Sequence, residues 1–312
     1  PNMKVKCTGK IELYGHTYHC WKKKGHGYMG LRNAIKQSCD TYFYEVSRRL
    51  GVDRLNETAR KFGLGRKVLN GIFKDEKKGL FPSTKWKKNN LGRGWVLGET
   101  LLTGIGQGYI QTTPLQLCLM TAQLANGGFK IHPRIILDKS YEDYETIKNK
   151  MSQNIAERED IQMGLIPTND ELINSSEKKY SILFRNQENV KFVLEAMFGS
   201  TNEVFGTSYR SRIEDKKYQF AGKTGTAQVK RITEKARELD LKTEQIPYEE
   251  RDHALYIAYG PYKNPRYAVS IIIEHGGSGS SAAAPIAKKL FKLVIDRHEI
   301  REKIKQKELQ TI

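Results

Sequence analysis

The 312-residue chain is predicted to be an α/β protein of the α+β type, with a mostly helical first half and a sheet closed by a final helix. Three observations carry this. Residues 254–261 and 268–274 are short runs of aromatic and β-branched side chains that read as buried strands. From Ala284 to about His298, apolar residues recur at Ile286, Leu290, Leu293, Val294 and Ile295, the spacing of a helix laid on a sheet. Upstream, several segments show helical spacing between cap residues and glycine stops. With 38% hydrophobic residues, a chain of this length can bury a substantial core.

The elements follow in order. Residues 1–30 read as a Cys/His-bearing loop region, and 31–135 as the helical part. Leu31, Ala34 and Ile35 give one short apolar face. Asp40 reads as the N-cap of a second helix with Phe43, Val46 and Leu50 on its face, ending at Gly51. Ser38-Cys39-Asp40 thus falls on an exposed corner between two helices. Gly104-Ile105-Gly106-Gln107-Gly108 is a tight loop, and the lack of a following G-K-[ST] speaks against phosphate binding. Thr113 suits an N-cap, Pro114 the first turn, and Gln116 closes a capping box. Leu117, Leu119, Met120 and Leu124 then make an apolar helix that stops at Asn126-Gly127-Gly128. Residues 139–186 are a polar, variable insertion. Residues 187–298 hold the late strands and closing helix, with an exposed excursion at 230–252, and 299–312 form a charged tail.

The net charge of +18 invites a nucleic-acid reading. The 53 Lys and Arg are scattered among 35 acids, with no arginine stripe or base-stacking motif, so no nucleic-acid partner is expected. A basic face near anionic lipid stays open. No apolar run is long enough to span a bilayer, and no repeat is present.

Two segments carry chemistry. Lys223-Thr224-Gly225-Thr226 sets a cation, a hydroxyl and a side-chain-free position in a row on a predicted edge strand. A carboxylate suits Lys223 and Thr224, Gly225 permits close backbone approach, and the Thr226 N–H can face a developing oxyanion. The second segment is a Cys/His set. Cys7, Cys20, His26 and Cys39 are spaced Cys-x12-Cys-x5-His-x12-Cys, which matches no zinc finger but supplies three sulfurs and an imidazole for a tetrahedral Zn²⁺ site. In an oxidising compartment, Cys7–Cys20 is instead a natural disulfide. Cys118, inside an apolar helix, reads as core.

Lys223-Thr224-Gly225 together with Ser38-Cys39-Asp40 resembles the known joint motif set of penicillin-binding proteins and serine β-lactamases. The G-x-GQG loop with Thr113-Pro114-Leu115-Gln116 is similar to class B penicillin-binding proteins. Asp40 followed by Thr41-Tyr42-Phe43-Tyr44, Trp21-Lys22-Lys23-Lys24-Gly25-His26-Gly27, Gly51-Val52-Asp53-Arg54-Leu55, Trp86 and Trp95 resemble the penicillin-binding protein 2 branch, the elongation transpeptidases. The resemblance implies a transpeptidase fold with an antiparallel sheet flanked by helices and a mostly helical subdomain. It implies a D,D-transpeptidase acting on peptidoglycan stem peptides through a serine acyl-enzyme and trapped by β-lactams. Ser38, Asp40 and Lys223 would be catalytic, and Thr224, Gly225 and Thr226 would bind substrate. No cofactor is implied for catalysis. Some members carry a structural zinc at positions matching Cys7, Cys20, His26 and Cys39. The resemblance also implies the periplasmic face of the inner membrane, an N-terminal anchor and a polytopic glycosyltransferase partner.

One departure stands out. The family nucleophile lies in S-x-x-K upstream of the serine corner, yet residues 1–37 contain no serine. Ser175-Ser176-Glu177-Lys178-Lys179 offers S-x-x-K matches only on the wrong side, in a polar stretch that reads as loop. The expectation is a chain that begins just after the catalytic serine and is inactive alone. A β-lactamase or β-lactam sensor, and an inactive scaffold of the same fold, are the alternatives.

Overall fold

The computed structural model describes residues 2–69, 73–135, 181–184, 186–230 and 241–310. Most of the polar insertion, with Ser175 and Ser176, lies outside the described residues, as does 231–240 of the excursion.

Residues 1–30 are not the loop region expected. They contain four short strands: β1 (Lys4–Cys7) pairs antiparallel with β4 (Gly27–Gly30), and β2 (Lys10–Leu13) with β3 (His16–His19). The alternation Lys4, Val5, Lys6, Cys7 is a strand period in miniature, and it turns Cys7 inward beside buried Met29. Two glycines lock the ribbons together. A Cβ on Gly9 would lie 2.0 Å from Lys23 O, and one on Gly25 would lie 2.3 Å from Cys7 O. Backbone therefore crosses backbone there, which draws Cys7, Cys20 and His26 into one place.

Helices follow: α1 (Leu31–Gln37), α2 (Asp40–Leu50), α3 (Val52–Lys61), α4 (Thr84–Leu91), α5 (Leu97–Gly104), α6 (Pro114–Ala125) and α7 (Gln187–Asn202). Asp40 is the first residue of α2, and Cys39 is its N-cap, so the expected Asp40 cap is corrected by one position. Leu50 is 42% exposed, and α2 instead buries Thr41, Tyr42, Tyr44 and Ser47. The capping box of α6 forms as expected, with Thr113 Oγ1 accepting from Gln116 N. Its buried side is more polar than predicted. Gln116 Nε2 donates to Arg66 O (2.7 Å) and Lys78 O (2.9 Å), and Gln123 Nε2 donates to Phe62 O (3.1 Å). Buried amides are tolerated because they satisfy loop carbonyls that have no ladder partner.

The sheet has the order β5 (Ala221–Ala227), β6 (His253–Gly260), β7 (Tyr267–Ile273), antiparallel throughout, with β5 on the edge. One face packs on α8 (Ala284–Gln310), where Phe291 stacks on Phe220 with centroids 4.9 Å apart, beside Tyr256 and Ile295. Met197, Ala221 and Tyr259 form a second cluster with Leu124 and Leu194 from α6 and α7. Cys118 is half-buried on α6, and its Sγ donates to Ala268 O at 3.4 Å. The supposed tail is helical to Gln310. Its Lys, Glu, Arg and Gln are good helix formers, and Lys217 ties Asp296 (3.0 Å) and Glu299 (2.9 Å) to the body. No helix of the described residues is long and apolar enough to cross a membrane.

An ionic clamp fixes α1 to α7. Glu203 accepts from Arg32 (2.5 and 3.1 Å) and from Lys36 (2.8 Å). The Arg32 hydrogen bonds hold its carboxyl at about 2, below the usual carboxylate value. Stabilisation by this group is therefore present above about pH 4.5 and lost as pH falls toward 2. The pair is a third exposed, so solvent screening reduces it to about 1 kcal/mol. Glu203→Gln is expected to lower the melting temperature by roughly 2–4 °C at pH 7 and to flatten acid destabilisation between pH 4.5 and 2, read by thermal melts across pH.

Candidate active site

The helix corner and the sheet edge meet at one cation. Lys223 Nζ donates to Ser38 Oγ (2.5 Å), Thr224 O (2.8 Å) and Thr224 Oγ1 (3.3 Å). Ser38 ends α1 in the left-handed region (φ 54°, ψ 52°), a conformation usually left to glycine. Its N–H and that of Cys39 close back on α1 carbonyls, which swings the Ser38 hydroxyl out to the strand. Burial pushes the Lys223 ammonium down to about 8, and the Asp40 charge opposes this. A cation cradled only by neutral oxygens is a site for an anion.

Asp40 sits beside this group on the first turn of α2. Its Oδ2 accepts from Trp21 N at 2.8 Å, so it pins the chain after β3 to the corner. Burial pushes its carboxyl up to about 7, and the neighbouring Cys20 sulfur adds to the rise.

The backbone of β5 alternates sides. Thr224 O receives Lys223, Thr226 O receives Gln107 Nε2 (2.8 Å), and Gly222 N donates to Thr201 Oγ1 (3.0 Å). None of these partners belongs to β6. In an antiparallel strand the N–H and C=O of one residue point the same way. The Thr226 N–H therefore faces the open edge, where a developing oxyanion could lie. Gly225 is packed by the π-helical turn Gly279–Ala283: a Cβ on Gly279 would lie 2.6 Å from Gly225 O and 2.2 Å from Leu255 O. A Cβ on Gly225 itself would meet only the Leu255 side chain at 3.3 Å, so the glycine that permits the close backbone approach here is Gly279.

Behind the edge runs a row of hydroxyls. Thr224 Oγ1 donates to Thr207 Oγ1 (3.0 Å), which meets Ser200 Oγ (3.1 Å) inside the protein. The whole edge opens on a groove of about 1580 Å³, walled by the β2–β3 ribbon with Trp21 on one side and by Gln107, Gln228 and Asp252 elsewhere. Sequence reasoning found Ser38, Asp40, Lys223, Thr224, Gly225 and Thr226, and the structure brings all six to this groove. It missed Thr207, whose only signal is a Gly-Thr pair far from the strand. The Gly104–Gly108 loop was expected to shape one wall of the cleft, and Gln107 does line the groove; the 230–252 excursion was expected beside the cleft, but Asp252 itself was not singled out.

Cys7, Cys20, His26 and Cys39 also converge. Their ligand atoms all lie within 4.8 Å of one another, and the three cysteines are buried free thiols, not a disulfide. Cys7 Sγ and Cys20 Sγ are each 3.5 Å from His26 Nδ1. Among the described residues His26 Nε2 is buried without a partner, and the ring's polar contacts are with sulfur. A hydrogen bond from Cys39 lowers the Cys20 thiol to about 4, while Cys39 is raised by that bond and by burial.

A Lys-Thr-Gly edge strand opposed by a serine corner, on a three-stranded sheet backed by a terminal helix, is the architecture of a transpeptidase domain. The chain belongs to the penicillin binding protein transpeptidase domain family, whose pattern it matches over residues 1–292. It is 33% identical over 284 residues to the peptidoglycan D,D-transpeptidase MrdA of Salmonella typhimurium, covering 89% of this chain and 40% of that protein. Penicillin-binding protein 2 of Pseudomonas aeruginosa, solved in complex with WCK 5153, superimposes with a TM-score of 0.70 at 33% identity, over 94% of this chain and 56% of that one. Helicobacter pylori penicillin-binding protein 2, solved in complex with MreC, gives 0.73 at 26% identity, over 95% and 45%. The chain spans about two fifths of the length of the curated relative it matches.

Proposed function

We propose that this chain supplies the substrate-binding wall of a peptidoglycan D,D-transpeptidase, with the nucleophilic serine contributed from outside these 312 residues. The observation that carries this reading is the half-buried Lys223 ammonium set among Ser38 and Thr224 on an open strand edge. Lys223 and Thr224 hold the terminal carboxylate of a D-Ala-D-Ala stem peptide. The serine attacks the penultimate carbonyl, whose oxygen turns toward the Thr226 N–H. The ester forms as the D-Ala–D-Ala amide breaks, and Ser38 passes a proton to the departing amine. An amine of a second stem peptide then displaces the serine and forms the cross-link. Asp40 accepts from Trp21 N and so positions the corner, and its charge acts on Lys223. β-Lactams, which present a carboxylate next to a reactive amide, enter by the same contacts. The likeness to one relative solved in complex with MreC, and to another solved in a peptidoglycan synthase complex that couples polymerization to crosslinking, supports partners of that kind for this protein and a place at the outer face of the cytoplasmic membrane.

The Cys/His cluster is proposed to hold a structural zinc. A tetrahedron with Zn–S of about 2.3 Å and Zn–N of about 2.0 Å has an N···S edge of about 3.5 Å. Two of the three N···S distances, those from Cys7 and Cys20, are 3.5 Å, and all four ligand atoms lie within 4.8 Å of one another, so the residues fit the ion. It would cross-link the β1–β4 and β2–β3 ribbons to the N-cap of α2 and take no part in the reaction.

Intact-protein mass after benzylpenicillin treatment tests the reading, on this chain and on the full-length protein. An adduct on the full-length protein alone is expected. An adduct on the 312-residue chain would put the nucleophile inside it and overturn the assignment.

A further inference from the structure

The sheet covers only one side of α8. Ala287, Phe291 and Ile295 are its buried face, and Leu290 and Val294 pack partly against the same core. The sequence spacing also assigns Ile286 and Leu293 to that face, but the structure turns both outward, 37% and 62% exposed. Further along, Ile300 and Ile304 are 58% and 51% exposed. Four large aliphatic side chains thus stand in water on one helix, where burial would stabilise each of them. The segment is set apart in sequence as well. The family pattern covers residues 1–292, whereas α8 continues to Gln310.

The exposed row has the period of a coiled-coil seam. Ile286, Leu290, Leu293, Arg297, Ile300 and Ile304 follow one another in alternate steps of four and three, the a/d spacing of a heptad. A second helix laid along that line meets every one of them. Charge decides its direction. In a parallel, in-register pair, each Arg297 would meet the other copy's Arg297 inside the seam, like charge on like charge. An antiparallel pair, with a two-fold axis between His298 and Glu299, packs Leu293 on Ile304 and Arg297 on Ile300. Asp296 and Lys303 flank the seam between those same two layers, so each Asp296 faces the other copy's Lys303. Asp296 is still half-exposed although Lys217 Nζ (3.0 Å) and Tyr218 OH (2.5 Å) donate to it, and Lys303 is exposed. The two-fold repeats every contact, giving two Leu–Ile layers and two opposite-charge pairs. Past Ile295, the last residue of α8 in the core cluster, each helix then lies over the body-bound half of the other.

We propose that a second copy of this chain docks along α8 through an antiparallel, two-fold helix seam centred between His298 and Glu299. None of the seam residues lines the Lys223 groove, so the inference stands independently of the transpeptidase reading. A seam this short, with one charged layer, gives an affinity on the order of 10 µM, the weak end for a protein interface.

Sedimentation velocity of the 312-residue chain tests this, at concentrations from about 1 to about 200 µM that bracket the affinity. Monomer is expected at the low end and dimer at the high end. Leu293→Asp, at an exposed position, is expected to weaken the dimer by at least about tenfold and to leave the melting temperature of the monomer unchanged. Lys303→Glu, which sets like charges face to face, is expected to weaken it about fivefold. Direction is read by mixing Leu293→Cys and Ile304→Cys proteins, each also carrying Cys118→Ser, under mild oxidation. Peptide masses should show a disulfide from position 293 of one copy to position 304 of the other. A 304–304 link in its place means a parallel pair and overturns the proposal. So does a chain that stays monomeric throughout, or a dimer that survives Leu293→Asp. A monomer that floats with vesicles of phosphatidylglycerol and phosphatidylcholine, and loses this in Leu293→Asp, gives the row to anionic lipid and overturns it too.

Discussion

Replacing Lys223 by alanine is expected to slow acylation of the full-length protein by benzylpenicillin by roughly 100- to 1,000-fold. The side chain is half-buried, and among the described residues the ammonium hydrogen-bonds to neutral oxygens, Ser38 Oγ, Thr224 O and Thr224 Oγ1. A ligand carboxylate would be its ionic partner in a half-buried site on the groove wall. Losing one partner of such a pair costs about 3–4 kcal/mol, which is the stated factor. The pH profile adds a sign. Burial lowers Lys223 to about 8, so the unliganded site is charged below that pH and neutral above it. Acylation efficiency should therefore fall as pH rises through about 8, since this parameter reports the free protein. Stability to unfolding moves the other way. The unfolded lysine keeps its proton up to about 10.4, so folding gains between pH 8 and 10.4. Lys223→Arg separates this titration from that of the nucleophile. Arginine stays charged but its planar fork does not suit a cradle built on hydroxyls, so the variant should be slower, with no fall near pH 8. Near-normal acylation by the alanine variant would sink the assignment, as would the same fall near pH 8 in both lysine and arginine proteins.

Much of this site could be read from the chain because its chemistry is local. Lys223, Thr224, Gly225 and Thr226 occupy one strand, and Ser38 and Asp40 one corner, so their order in sequence is their order in space. The strands β6 and β7 and the start of α8 were legible for the same reason: each carries its apolar residues in one continuous run that enters a shared core. What escaped depends on contacts between distant segments. Thr207 reaches Thr224 only because Gly206 N returns to Glu203 O, in a turn clamped by Arg32 and Lys36. Asp252 becomes a groove residue only through its register opposite Gln228. The helical corner misled by one residue because Ser38, not a glycine, takes the left-handed position, and its support comes from Lys223 across 185 positions. The buried glutamines of α6 contradict a hydrophobic pattern because their partners are loop carbonyls from 62 to 78. The first thirty residues looked like loop because four-residue strands leave too few alternations to stand out.

The proposed zinc makes the second large prediction. The protein purified without chelator should carry one zinc per chain, and stripping it, or introducing Cys39→Ser, should lower the melting temperature by roughly 10 °C. The four ligands come from the end of β1, the residue after β3, the loop before β4 and the N-cap of α2. Apart from them, the local core holds only Met29, Ala34 and Tyr42 as fully buried apolar residues. So small a core does not hold two ribbons and a helix corner together against chain entropy unaided. Zinc binding stabilises isolated small domains by about 10–16 kcal/mol. Here the large sheet core persists without it, so about 3–5 kcal/mol is expected to appear in unfolding, which corresponds to roughly 10 °C. The effect should extend to chemistry. Cys39 lies between Ser38 and Asp40, so an unanchored cap lets Ser38 relax from its left-handed conformation and lose Lys223. Acylation of the full-length Cys39→Ser protein should fall well below its melting temperature, whereas Cys118→Ser, whose sulfur touches only Ala268 O, should keep zinc content unchanged. If instead the protein carries no zinc, melts alike with and without chelator, and shows a mass two hydrogens lighter that traces to a Cys7–Cys20 bridge, the ribbon is disulfide-held. The 3.5 Å distances around His26 would then reflect packing alone.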